Sequence, residues 1–173
     1  MLSFADIAAL HQADPDAHRR AAESRGLVCP PDVFEQLFHE PHADLIFAAL
    51  LRPIDWQTVR WRETELSGAA IAGVHIPRDY EHAVEEARSA VVAEGLMDDR
   101  SDVVEHWAMH QSWFRSPILL TGDVVARPVA YELVVGFTRV GNLLGLMDRE
   151  DIAPFRGRRQ KVAKSSGFSR TRV

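Results

Sequence analysis

Pro117-Ile-Leu-Leu-Thr121, the pair Gly122-Asp123, Ala130-Tyr-Glu-Leu-Val-Val135, Gly136 and then Phe137 to Met147 form the stretch whose reading decides the fold. The first run is short, apolar and bounded by turn residues, as a buried strand is. Gly122-Asp123 reads as a turn. The second run is rich in β-branched side chains, which suit a pleated and covered surface. Gly136 breaks it. From Phe137 the apolar period changes to the helical one, with Val140, Leu143, Leu144 and Met147 on one face. Leu144 and Val135 are expected to be buried where that helix meets the sheet.

A strand that ends in glycine and turns at once into a helix leaves the first helical N–H groups aimed at open space. Those donors and the helix dipole attract an anion, typically a phosphate. Gly136 lets main chain and ligand approach closely. Thr138 adds a hydroxyl at the first turn, and Arg139 adds a planar cation suited to bidentate phosphate contact. The plainer alternative makes Gly136 a turn residue, Thr138 a cap and Arg139 a surface charge. Two carboxylates, Asp123 and Glu132, are the nearest candidates to act as a base or to hold a metal with a nucleotide. Their plainer reading is a turn aspartate and a solvent-facing strand residue.

Outward from this stretch the order of elements is strand, strand, helix, helix. Asp55 to Glu65 reads as a strand with Val59, Trp61 and Glu63 on one face. Ile71 to Ile76 reads as a short strand between Gly68 and Pro77. Residues 78–94 form the clearest helix, with Ala83, Val84, Ala87, Ala90 and Val91 as its apolar stripe and Gly95 as its stop. Asp99 with Asp102 opens another helix at about residues 101–111. Before residue 52 the chain reads as short helices. Ser3 with Asp6 is a capping pair, Asp14-Pro15 a cap followed by proline, and Pro30-Pro31-Asp32 the start of a third helix that ends before Pro41.

The motif Pro117-Ile-Leu-Leu, a turn, Tyr131-Glu-Leu-Val-Val-Gly-Phe-Thr-Arg139 and Leu143-Leu-Gly-Leu resembles the core of the ParB/sulfiredoxin-like fold. The resemblance covers residues 117–148. It implies an α/β (α+β) fold with a small mixed sheet, and a nucleotide, with Mg²⁺, or a phosphorylated small molecule held at the turn. Gly136 and Arg139 match the glycine and arginine of the family pattern. Sulfiredoxins carry a cysteine and a histidine between those two positions, where this chain has Phe137 and Thr138, so sulfiredoxin chemistry is excluded. The second arginine and the glutamate of the partition proteins are absent from the turn, and no DNA-binding domain is expected after residue 150.

The formal net charge is −5, from 20 basic and 25 acidic side chains, and it is unevenly placed. Residues 152–173 hold seven basic groups and no acidic one, so residues 1–151 carry 13 basic against 25 acidic, or −12. An acidic body repels a phosphate backbone, so nucleic acid is not expected as a partner except through the basic tail. Both lysines, Lys161 and Lys164, lie in that tail. A Walker A lysine, a Schiff-base lysine and a kinase-type strand lysine are thereby excluded from the body. The longest apolar run, Leu45 to Leu51, has seven residues, far short of a membrane span, and no membrane partner is expected. Cys29 is the only cysteine, which excludes an intrachain disulfide and multi-cysteine metal sites. A reducing, cytoplasmic setting is the expectation.

His106 and His110 stand four apart on a predicted helix, a spacing that zinc sites use. The residues between them are Trp-Ala-Met, without the glutamate of zinc proteases, so packing histidines are expected. His39 and His42 straddle Glu40-Pro41 and form a weaker pair. No metal ligand is assigned. The four tryptophans are read as core rather than as a nucleic-acid stacking platform. The expected organisation is a helical segment 1–52, a ParB/sulfiredoxin-like domain 53–151 and a basic, flexible tail 152–173. Two functions stay open: a domain or enzyme that binds a nucleotide or phosphate ligand at Gly136–Arg139, and a non-catalytic protein-interaction protein that retains only the fold.

Overall fold

Local capping chemistry sets the helices at the start of the chain. In the computed structural model, which describes residues 1–94, 101–110, 112–149 and 159–166, α1 (Phe4–Ala8) opens on a complete capping box. The Ser3 hydroxyl accepts from the Asp6 N–H at 3.1 Å, and Asp6 accepts from the Ser3 N–H at 2.9 Å. Asp14 caps α2 (Pro15–Glu23), whose first residue is the proline that favours such a start. The helix α3 (Pro31–Phe34) runs into a π-helical turn, Glu35–His39, in which the Glu40 N–H donates to the Glu35 carbonyl at 2.9 Å. Asp44 caps α4 (Leu45–Leu51) by accepting from Ile46 and Phe47.

These elements belong to a first unit, which comprises Met1–Arg62, Leu120–Ala130 and the chain from Lys164. Its core is aromatic. Phe4 stacks on Phe38 and meets Phe47 edge-on, and Phe38 meets the fully buried Trp56 at 4.9 Å between centroids. The expected strand at 55–65 begins later than the sequence suggests. Asp55 accepts from the Leu2 and Gln57 N–H groups, an Asx-type turn that occupies 55–58, and the strand β1 runs over Arg60–Ser67. Gly122-Asp123 is a short helix, α8 (Gly122–Val125), rather than a plain turn, closed by Ala126 in the left-handed region.

The second unit comprises Glu63–Leu119 and Tyr131–Ala163. The run 71–76, expected as a strand, divides. Its first two residues, Ile71 and Ala72, complete α5 (Gly68–Ala72), which the Ser67 hydroxyl caps and whose three alanines are the best helix formers. Its end joins the sheet at one residue. The His75 N–H donates to the Tyr131 carbonyl, and the Leu133 N–H donates to the His75 carbonyl, both at 2.9 Å. A 3₁₀ turn (Arg78–Tyr80) leads into α6 (Glu81–Glu94), followed by α7 (Ser101–His110). Gly95 and Asp99, read as helix stop and start, lie outside the described residues. The strands β2 (Ile118–Thr121) and β3 (Tyr131–Val135) and the helix α9 (Phe137–Asp148) stand where the sequence pattern sets them.

The fold is α+β, with a mixed four-stranded sheet in the order β1-β4-β2-β3. The strand β4 is Arg159–Ser166, so the expectation of a flexible tail is corrected over that span. Val162 and Ala163 are buried, and the Ala163 N–H donates to the Pro117 carbonyl at 3.0 Å. Main-chain pairing is indifferent to the cations in a strand, and a few small apolar side chains suffice to seat it. The rest of the tail, 152–158 and 167–173, lies outside the described residues.

The face of α9 is also rotated from the one expected. Val140, Leu143 and Leu146 are buried, whereas Leu144 and Val135 are only half-buried. The cause is a close crossing with α6. A Cβ on Gly141 would lie 2.3 Å from the Val84 carbonyl oxygen, and one on Gly145 would lie 2.6 Å from that of Arg88. Glycines therefore form part of the buried stripe. Arg88 Nε donates to Asp148 at 2.5 Å across the same helix pair. No helix among the described residues is long and apolar enough to cross a membrane.

Candidate anion-binding turn

The turn from β3 into α9 is built on Gly136, whose φ of +95° and ψ of 32° fall in the left-handed region that favours glycine. A Cβ there would lie 3.0 Å from Nε and 3.2 Å from Cζ of Arg139, and 3.2 Å from Cα of Pro117. The conformation therefore favours glycine, and a Cβ would also press on its neighbours. Gly136 is the N-cap of α9, and no side chain caps the helix. Its carbonyl accepts from the Val140 N–H at 2.9 Å, the first bond of the helix.

Arg139 folds back across this turn. Its Nη1 donates to the Arg115 carbonyl at 2.5 Å and to the Ser116 carbonyl at 3.3 Å. The guanidinium thus ties the entry of β2 to the start of α9, and it brings a fixed positive charge to the same turn. Thr138 is exposed. Phe137 is half-buried, and its ring stacks on Tyr80, with centroids 4.2 Å apart and planes 2° from parallel. Gly136, Thr138 and Arg139 are therefore one local unit.

Glu132, on β3, has a partner of its own. Glu132 is fully buried, not solvent-facing, and its Oε2 lies 3.2 Å from Nδ1 of His75, whose side chain is 41% exposed. Glu132 stands four positions before Gly136, roughly 13 Å along an extended strand at the usual rise. It is thus paired with His75 rather than brought to the turn. A buried carboxylate on Nδ1 orients an imidazole and leaves its Nε2 to the outside, an arrangement suited to proton transfer. His75 was not singled out as its partner from the sequence. The signal was there: His75 is the one imidazole of the run 71–76, and Glu132 the one carboxylate of the run 130–135. Asp123 lies exposed on α8, in the first unit.

His106 and His110 lie side by side on α7. The rings stand 4.5 Å apart, Nε2 of His106 is 3.4 Å from the Ser112 hydroxyl, and His106 meets Phe114 edge-on. Cys29 is buried, and desolvation pushes its thiol far above its ordinary range, so it is an inert core residue. No protein-family model matches this chain, and no curated protein or solved structure matches it significantly.

Proposed function

We propose that this chain is a phosphate-binding domain of the ParB/sulfiredoxin-like kind, taking a nucleotide or a phosphorylated small molecule at the turn Gly136–Arg139. One observation carries the reading. The 12-residue helix α9 starts from a left-handed glycine with no side-chain cap, and the Arg139 guanidinium lies across that start. The first N–H groups of such a helix, its dipole and a fixed cation suit an anion without any lysine. Mg²⁺ enters with a nucleotide, through its phosphates. No reaction is assigned to the turn, because Glu132 is committed to His75 some distance along the strand.

The test is a panel of nucleotides with and without Mg²⁺, sugar phosphates and inorganic phosphate, read by thermal shift on the wild-type chain and two variants. Arg139→Ala removes the cation and also the tie to Arg115 and Ser116. Thr138→Asp puts a negative charge at the helix start, which favours the helix and repels a phosphate. At least one phosphate-bearing ligand should raise the wild-type transition, and Thr138→Asp should abolish that rise while the fold persists. If no ligand moves the wild-type transition, the domain is instead an interaction protein that keeps only the fold.

A further inference from the structure

Four histidines of the first unit converge: His11 in the loop after α1, His18 within α2, His39 at the end of the π-helical turn and His42 just beyond Pro41. One ring nitrogen from each of His11, His18 and His39 lies within 4.8 Å of the other two. The Nδ1 atoms of His18 and His39 face each other at 3.3 Å. Nε2 of His18 is 2.9 Å from the Ile7 carbonyl oxygen. A carbonyl only accepts, so Nε2 of His18 carries the proton, and Nδ1 of the neutral ring presents a lone pair toward His39. His18 is fully buried, which disfavours the charged ring.

The surroundings hold the other two rings in place. Nδ1 of His42 is 2.8 Å from the His39 carbonyl oxygen, to which it donates. The His42 ring stacks on His11, with centroids 3.5 Å apart and planes 9° from parallel. His39 itself is carried on a π-helical turn, an irregularity frequent at functional sites. Zinc–imidazole bonds of 2.0–2.1 Å set tetrahedral ligand nitrogens about 3.3–3.4 Å apart, the separation found between His18 and His39. The Ile7 carbonyl then has the part of the outer acceptor that fixes tautomer and ring orientation in metal-binding histidines.

We propose that His11, His18 and His39 bind one divalent transition-metal ion of the zinc class. An all-imidazole set suits zinc, nickel or copper and not magnesium or calcium. Three protein ligands leave one tetrahedral position for water or an external ligand. The site shares no residue with the phosphate turn and stands independently of that reading.

The competing arrangement is an ordinary N–H···N hydrogen bond from His39 to His18, and titration of the metal-stripped full chain with Zn²⁺ and Co²⁺ separates the two. Calorimetry should show one tight equivalent, and bound Co²⁺ should show the visible absorption of tetrahedral nitrogen coordination. His11→Asn and His39→Gln replace half-buried rings and should each weaken binding at least about tenfold, the smallest loss usual even for outer partners. His110→Asn, at an exposed position that ends α7, should leave binding unchanged. His18→Ala empties a core position, so circular dichroism of each variant accompanies the titration, and the wild-type Co²⁺ spectrum stands whether or not a variant folds. The proposal is overturned if the wild-type chain takes up no stoichiometric metal, if its Co²⁺ spectrum is not tetrahedral, or if binding survives both His11→Asn and His39→Gln.

Discussion

Gly136 concentrates more constraint than any other residue of the turn. Its left-handed conformation costs an alanine about 1–2 kcal/mol, and the new Cβ would press on Arg139 and on the Pro117 main chain. Gly136→Ala should therefore destabilise the chain by at least that much in chemical denaturation; an unchanged midpoint would mean that the turn relaxes freely. The capping box of α1 offers a second residue-scale test. The Ser3 hydroxyl and N–H donate to Asp6 and hold its carboxyl below its ordinary value of 3.8. A depressed folded value means that this contribution is present above the ordinary value and is lost as pH falls through the folded one. In an NMR titration Asp6 should protonate below 3.8, and Ser3→Ala should move it back upward. At this scale the sequence was legible where partners are close. Ser3 with Asp6 and Asp14 with Pro15 stand a few residues apart, whereas Glu132 and His75 are 57 residues apart and meet only through sheet pairing.

Elements were legible in proportion to their periodicity. The segments β2 and β3 are short covered runs, α9 repeats at the helical period, and glycine or proline marks the breaks between them, so both type and place were evident. The buried face of α9 was misphased because glycine has no hydrophobic signal, yet Gly141 and Gly145 lie at the crossing with α6. Alanine at position 141 gains up to about 1 kcal/mol of helix propensity but drives a Cβ to within 2.3 Å of the Val84 carbonyl oxygen. Overpacking typically costs 1–3 kcal/mol, so Gly141→Ala should be net destabilising by denaturant unfolding. A stabilised Gly141→Ala would show that α6 and α9 stand farther apart. The strand expected at 71–76 failed for the opposite reason: apolar content was visible, but Ala69, Ala70 and Ala72 favour a helix over a strand.

For the whole molecule, charge misread part of the tail. The seven cations after residue 151 suggested a tail without fixed packing, but β4 lies between β1 and β2 in the sheet order. Removing the chain from Arg159 onward should therefore abolish cooperative thermal unfolding, as loss of a strand between two others exposes both to solvent. A truncated chain with an intact transition would contradict that sheet order. The same −12 balance over residues 1–151 opposes a phosphate ligand, so the proposed binding would have to draw on the local donors of the turn. The most direct measurement is an amide NMR titration of the full chain with inorganic phosphate and with Mg²⁺–nucleotides. The N–H resonances of Phe137, Thr138 and Arg139 should shift together and saturably, and Thr138→Asp should erase the effect with the rest of the spectrum preserved. Saturable shifts confined to other residues, or none at all, would contradict a phosphate site at the start of α9.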